Sequence, residues 1–175
     1  MLKKRKVGGG IVIRNNNETS EILLIQRSSK DHWPLRWETP RGGCDKFKEF
    51  ESIIDCIKRE VKEESGLDVI PVQFIDRFDY LSKEKNTLTT QHNYLCKLKD
   101  KNQEVKLSKE HQDYKWIPTV NHAQIQLLVS TKEMYHSIMK ALDMITKDGI
   151  NINIPIQNTI IKECILKLEK IYNKK

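Results

Sequence analysis

The chain has 175 residues, enough for one domain with a sizeable core. It is 38% hydrophobic and 31% charged, and its 31 Lys and Arg against 24 Asp and Glu leave a formal net charge of +7. No apolar run approaches the roughly 20 residues of a membrane span. The positive excess favours polyanionic partners, nucleotides, polyphosphates or RNA, without choosing among them.

Met1-Leu2-Lys3-Lys4-Arg5-Lys6 is basic, and the apolar run after it, Ile11-Val12-Ile13, is too short for a signal-peptide core. Lys3 to Lys6 reads as a solvated terminus or as a nuclear address. Residues 7–14 and 21–27 alternate as strands around the turn Asn15-Asn16-Asn17, which predicts a hairpin. Residues 28–36 are a polar loop carrying His32, Trp33 and Pro34, and Trp37 to Thr39 is a short strand leading to Pro40. Ser52, with Asp55 three residues on, starts a helix, and Gly66 ends it. Residues 69–81 and 88–98 are predicted strands paired across 82–87, with Pro71 marking an edge or a bulge. A short strand follows at 113–118. The period then changes to 3.6, and helices are predicted at 120–128, 131–146 and 156–172. Met134, Ile138, Ala141, Leu142 and Ile145 stripe the second of these, and Ile160, Ile161, Cys164, Ile165, Leu168 and Ile171 the third. Such stripes are packing surfaces. Cys44, Cys56, Cys96 and Cys164 show no C-x-x-C spacing, so neither a zinc site nor a disulfide framework is expected. A reduced, cytoplasmic compartment fits that reading. Repeats, linkers and a second domain leave no trace, so 1–175 is taken as a single domain.

The most informative stretch runs from Trp37 to Leu67. Its helix carries Arg59-Glu60-Val61-Lys62-Glu63-Glu64-Ser65-Gly66-Leu67. Glu60 lies three residues from Glu63 and four from Glu64, so the carboxylates share a face. Like charges in this arrangement weaken an isolated helix by a few tenths of a kcal/mol per pair, roughly. Keeping three together points to a cation, and hard oxygen ligands suit Mg²⁺ or Mn²⁺ better than Zn²⁺. Ile53, Ile54, Ile57 and Val61, with Cys56 as a small filler, make the other face apolar. The plainer reading is a solvated helix with an Arg59–Glu63 ion pair.

This stretch resembles the Nudix box, G-x5-E-x7-R-E-U-x-E-E-x-G-U, where U is a bulky aliphatic residue. Glu51, Arg59-Glu60, Val61, Glu63-Glu64, Gly66 and Leu67 match it at the family's spacing. Pro40-Arg41-Gly42 stands where the family has Pro-Gly-Gly or Pro-Lys-Gly, which makes Gly42 the box glycine. Eight residues, three more than usual, then separate it from Glu51. The resemblance implies an α/β/α sandwich with a mixed sheet, its core at about 5–145 and its C-terminal helices an addition. It also implies Mg²⁺-dependent hydrolysis of a nucleoside diphosphate linked to another group. Glu60, Glu63 and Glu64 would be metal ligands, helped by the Gly42 carbonyl. Glu51 would act through a water or near the base, and Arg59 would orient the carboxylates through Glu63. The general base is Glu64 or Glu110.

Residues 107–116 (LSKEHQDYKW) are similar to the Glu-His-x-x-Tyr-x-Trp segment of asymmetric dinucleoside tetraphosphate hydrolases within that family. That likeness would make Arg41 a phosphate-side charge and Tyr80 a stacking surface for adenine. On the residues alone, Tyr114 and Trp116 read as core strand aromatics and His111 as a loop cap. Other substrates stay open. Capped RNA is suggested by the net charge and by the lysines of 156–175, and a diphosphoinositol polyphosphate by Pro40-Arg41-Gly42-Gly43. A binding module without catalysis is a further alternative, which the intact glutamates oppose.

Overall fold

The computed structural model describes residues 2–16, 19–44, 51–82 and 84–147. The expected helix at 156–172 and its lysines lie outside the described residues.

The strands are β1 (Lys3–Asn16), β2 (Thr19–Arg27), β3 (Trp37–Glu38), β4 (Arg41–Gly43), β5 (Val69–Ser82), β6 (Thr87–Leu98) and β7 (His111–Pro118). The helices are α1 (Ile53–Ser65), α2 (His122–Leu128) and α3 (Lys132–Lys147). Strand order is β3-β2-β1-β6-β5, with β4 also on β1 and β7 on β2. The sheet is mixed: β1 runs parallel to β6, while the pairs β1–β2, β1–β4, β2–β3, β2–β7 and β5–β6 are antiparallel. The expected hairpin forms with Ile13 opposite Ile22 and Asn16 opposite Thr19. Pro71 sits at a register shift in β5, the last strand in the order, the kind of place where a residue without an N–H is tolerated.

The period-two alternation of β1 and β2 feeds two cores. Ile11, Ile13, Ile22 and Leu24 pack with Ile125 of α2 and with Met134, Ile138 and Leu142 of α3. Val12, Leu23 and Ile25 point the other way, onto Ile57, Val61 and Leu67 at α1. This is the α/β/α sandwich. Burying side chains such as Ile57 and Val61 completely stabilises the fold by about 1.5–3 kcal/mol each. The helix can settle so close because β1 presents glycine there. A Cβ on Gly8 would stand 2.8 Å from Ile57 Cγ1, and one on Gly10 would stand 2.6 Å from Val61 Cγ2. The ends of α1 follow expectation. Ser52 Oγ accepts the Asp55 N–H, and Gly66, at φ 74°, donates its N–H to the Lys62 carbonyl.

Four expectations change. Lys3 to Lys6 are not a loose terminus but the start of β1, paired with Thr87 to Thr90 while their side chains stay exposed. Backbone pairing, which composition does not report, makes the difference. β4 was not anticipated, because three residues are too few for a periodic signal. Tyr114 lies on the solvent face of β7 with 41% exposure instead of in the core, whereas Trp116 packs against the second core as expected, half-buried beneath the Arg14 guanidinium, 4.2 Å from its ring centre.

The fourth concerns the cysteines. Cys44 and Cys56 form a disulfide. They are 12 residues apart without a recognisable motif, and only the passage of β4 beside the first turn of α1 brings their Cα atoms to 5.3 Å. Cys96 is a buried free thiol whose pKa is pushed up by burial. With one disulfide formed, the cysteines no longer argue for a reducing compartment. Closing a loop of this length contributes about 3 kcal/mol through the unfolded chain. Urea unfolding of the oxidised protein and of a Cys44→Ala/Cys56→Ala variant is expected to differ by that order. Equal stabilities would show that the bond contributes nothing.

Candidate active site

The turn before β4 and the exposed face of α1 build the site together. Gly42 lies directly beneath the Glu60 carboxylate, where a Cβ would come within 1.9 Å of Oε2. The Arg41 N–H donates to Glu64 Oε2 at 2.9 Å. Glu60 and Glu64 are almost wholly buried, whereas the Glu63 side chain is 45% exposed. The shared face inferred from spacing is therefore graded in depth.

Arg59 is bound more widely than a single pair with Glu63. Nε and Nη2 grip the two Glu51 oxygens at 2.7 and 2.8 Å, and Nη1 donates to Glu60 Oε1 at 2.7 Å and to Glu63 Oε2 at 3.2 Å. Nη2 also donates to the Gly43 carbonyl at 2.9 Å. One guanidinium thus ties the helix entry, β4 and two candidate metal ligands. Glu51, chelated in this way, is an anchor of that guanidinium.

A second ionic knot was not foreseen. Glu38 is 2% exposed and accepts from Arg27 Nη1 at 2.6 Å and from Arg41 Nη2 and Nε at 2.8 and 3.1 Å. Burial alone would raise its pKa, but His111, Arg41 and Arg27 around it reverse the direction and hold it at about 2. His111 Nε2 stands 4.0 Å from Glu38 Oε1, beyond hydrogen-bond reach, so the two arginines dominate. His111 itself begins β7, fully buried, with Nδ1 3.2 Å from Ser108 Oγ. Asp31 is also lowered to about 2, chiefly by its hydrogen bond with Arg27. Glu64 moves the other way. Burial raises its pKa well above the usual carboxylate range, the Arg41 N–H opposes this, and the Glu38 and Glu60 charges add to the rise.

Arg41 is further held from behind. Its Nη1 donates to Gln91 Oε1 at 2.8 Å, Gln91 Nε2 to Asn93 Oδ1 at 2.8 Å, and Asn93 Nδ2 to Asp76 Oδ1 at 2.9 Å and Ser137 Oγ at 3.0 Å. This line crosses the sheet to α3. No local motif marks these residues, because they come from β6, β5 and α3 and meet only in the fold.

A cavity of about 400 Å³ joins the pieces. Gly42, Glu60, Glu63, Glu64, Arg41, Tyr80 and Glu110 all line it, so the sequence-predicted residues converge, except Glu51 and Arg59. Arg5, Arg27 and Trp33 line it too and were not anticipated. The donors suit a hard divalent ion: Glu60, Glu63 and Glu64 offer carboxylate oxygens beside a glycine that leaves room for them. Among the described residues no three such side chains already converge on one point, since Arg59 draws Glu60 and Glu63 while the Arg41 amide draws Glu64.

Residues 4–137 match the family model of the NUDIX domain. The chain belongs to the Nudix family. It is 31% identical over 128 residues to the mouse (Mus musculus) bis(5'-nucleosyl)-tetraphosphatase [asymmetrical], covering 71% of this chain and 80% of that one. It is 43% identical over 72 residues to the mRNA-decapping enzyme subunit 2 of Saccharomyces cerevisiae, covering 39% of this chain and 7% of that one. Among solved structures, a C. elegans Ap4A hydrolase binary complex superposes with a TM-score of 0.65 at 23% identity, covering 81% of this chain and 98% of that one. The NUDIX domain of Shewanella oneidensis NrtR, complexed with ADP ribose, gives a TM-score of 0.66 at 16% identity over 83% and 90%. The protein is a Nudix pyrophosphohydrolase, and its family generally uses a divalent metal, usually Mg²⁺.

Two outcomes are expected here. Because Glu38 titrates lower in the folded chain than its ordinary value of 4.5, its stabilisation is complete above about pH 4.5 and is lost as pH falls through about 2. Glu38→Gln should flatten the acid limb of stability across that window, as read by denaturant unfolding at several pH values. An unchanged limb would remove Glu38 from the acid response. Gln91→Leu leaves Arg41 Nη1 and Asn93 Oδ1 unpaired inside the protein and should cost about 1–3 kcal/mol in thermal unfolding.

Proposed function

We propose that this Nudix hydrolase acts on a dinucleoside polyphosphate, with diadenosine tetraphosphate the best candidate, and that Mg²⁺ or Mn²⁺ is its ion. The observation that carries the reading is the meeting, in one cavity, of the Glu60, Glu63 and Glu64 carboxylates with the Arg27 and Arg41 guanidiniums and a 40%-exposed Tyr80. Likeness to the mouse tetraphosphatase supports it.

Glu60, Glu63 and Glu64 would hold the ion, which when bound neutralises phosphate charge and helps to activate water. Arg41 and Arg27, fixed by Glu38, present N–H donors to the phosphate chain without reorganising as the substrate arrives. In hydrolysis a water oxygen bonds to phosphorus, the bridging P–O bond breaks, and the nucleotide on the far side of the bridging oxygen departs. The proton from that water goes to Glu110 or Glu64. Both line the cavity; Glu110 lies in the turn before β7, exposed, with its carbonyl anchored by the Ser28 N–H at 2.8 Å. Tyr80 offers a π-face to one base, a contact that tolerates any base.

Capped RNA is the second reading. It is favoured by the exposed basic start of β1, whose Arg5 reaches the cavity alongside Lys85.

Product analysis with Mg²⁺ separates these. Conversion of diadenosine tetraphosphate to AMP and ATP is expected, and Glu64→Gln should reduce turnover at least a hundredfold while nucleotide binding persists. Release of a cap nucleotide from RNA, with the dinucleotide left intact, would overturn the first reading in favour of the second. Persistent turnover in Glu64→Gln would remove Glu64 from the metal and base roles.

A further inference from the structure

The hydrogen-bonded line behind Arg41 has a direction. Gln91 and Asn93 stand two apart on β6, so both side chains leave the same face of the sheet, and both are 2% exposed or less. An amide can turn either its oxygen or its NH2 to a neighbour, and the two ends have nearly the same shape. Packing alone therefore leaves open which end of Gln91 meets Arg41. The partners at the far end decide it.

Asp76, on β5, is that end. Its carboxylate only accepts. Oδ1 takes Asn93 Nδ2 at 2.9 Å, and Ser137 Oγ of α3 donates to the same carboxylate, 2.9 Å from Oδ1 and 3.0 Å from Oδ2. With its single proton given away, Ser137 Oγ accepts from Asn93 Nδ2 at 3.0 Å. Two acceptors thus hold the Asn93 NH2, and Asn93 Oδ1 is left to face Gln91. Gln91 must then offer Nε2 to Asn93, at 2.8 Å, and Oε1 to Arg41 Nη1, at 2.8 Å. The line fits because β1 presents Gly9 beside it: a Cβ there would stand 2.6 Å from Asn93 Oδ1 and 3.3 Å from Gln91 Nε2.

The direction matters to Arg41. Its Nε and Nη2 are both spent on one Glu38 oxygen, so Gln91 Oε1 is the second point that stops the guanidinium from swinging about the first. A reversed line would set the Gln91 NH2 against Nη1, donor against donor. Asp76 does not line the catalytic cavity, whereas Arg41 does.

We infer that Asp76 is a positioning residue for the hydrolysis: it sets the direction of the Asn93–Gln91 line and so holds the Arg41 guanidinium in place for the phosphate chain. This rests on the reading of Arg41 as a phosphate contact.

Asp76→Asn keeps the shape, removes the charge and frees both amides to turn over. It should lower kcat/KM for diadenosine tetraphosphate with Mg²⁺ about tenfold, mainly through KM. Lys140 Nζ lies 3.6 Å from Asp76 Oδ2, and Lys140→Met, which removes that ion pair and leaves the line intact, should keep kcat/KM unchanged. Adding Gln91→Glu to Asp76→Asn moves the carboxylate to the other end. It accepts from Arg41 and from an Asn93 turned round, whose Oδ1 then accepts from the amide at position 76. Every group is paired again, and kcat/KM should return to within about threefold of the starting protein. In an Arg41→Ala background Asp76→Asn should have no further effect, because the residue it acts through is gone. A loss of the same size in that background, no loss from Asp76→Asn alone, or no recovery in the double variant would overturn the inference. Side-chain amide spectra of the unaltered ¹⁵N-labelled protein test it without substrate or variant. The Gln91 NH2 protons should show cross-relaxation to the Gly9 Hα protons, and a Gln91 NH2 lying against Arg41 instead would overturn it even if Asp76→Asn does not fold. If the unaltered protein leaves the dinucleotide intact, the series is read on whichever substrate of the Mg²⁺ panel it cleaves, and only the substrate reading falls.

Discussion

Everything in this site depends on one guanidinium. Arg59 reaches Glu51, Glu60, Glu63 and the Gly43 carbonyl at once. Without it, Glu60 would be a nearly buried carboxylate next to two others, an arrangement that raises pKa values and pushes the side chains apart. The two-pronged grip on Glu51 also aims the guanidinium, because a bidentate pair fixes a plane as well as a distance. The gain is in orientation more than in stability. Ion pairs of this kind roughly break even against the cost of desolvation, but the loss of one partner leaves charges stranded. The Gly43 contact carries the same constraint into β4, and the Cys44–Cys56 disulfide, one residue further on, pins that strand to the helix covalently.

The cationic half of the cavity is built by the same logic with signs reversed. Arg27 and Arg41 are like charges brought together, and the buried carboxylate of Glu38 between them offsets their repulsion. Arg41 is then steadied through Gln91 and Asn93 to Ser137 and Asp76, so α3 bears on a residue lining the catalytic cavity although it contributes no side chain of its own there. Buried polar groups that are fully satisfied act as fixed struts.

Much of this architecture can be recovered from pattern alone, for identifiable reasons. Alternation in 7–14 and 21–27, the Ser52 cap, the Gly66 stop and the 3.6 period of α3 are local signals, and the corresponding elements appear within a few residues of expectation. The glutamates on α1 were legible because helical geometry converts spacing directly into a shared face. Glu38 and Gln91 were not, because the arginines that give them their importance, Arg27 and Arg41, lie 11 and 50 residues away and only the sheet order brings them close. The disulfide was hidden for the same reason. Tyr114 was misplaced because period two says which residues share a face and not which face is wet.

The two halves also explain why a chain with net charge +7 can keep a knot of glutamates at its centre. The acidic patch is compensated locally by Arg59, and the excess positive charge appears at the margins instead: Arg5 and Lys85 at the cavity, and Lys3 to Lys6 along β1. A polyanion approaching this surface meets attraction first and carboxylates last. Such an order raises the local concentration of a phosphate chain before any contact forms. It leaves the carboxylates unfavourable for that chain until a cation intervenes. In the proposed reading, binding of substrate and of ion would thereby be coupled, since each would remove the repulsion that opposes the other. The three carboxylates are graded in depth, from buried Glu64, fixed by the Arg41 amide, to half-exposed Glu63, paired with Arg59 at the cavity surface.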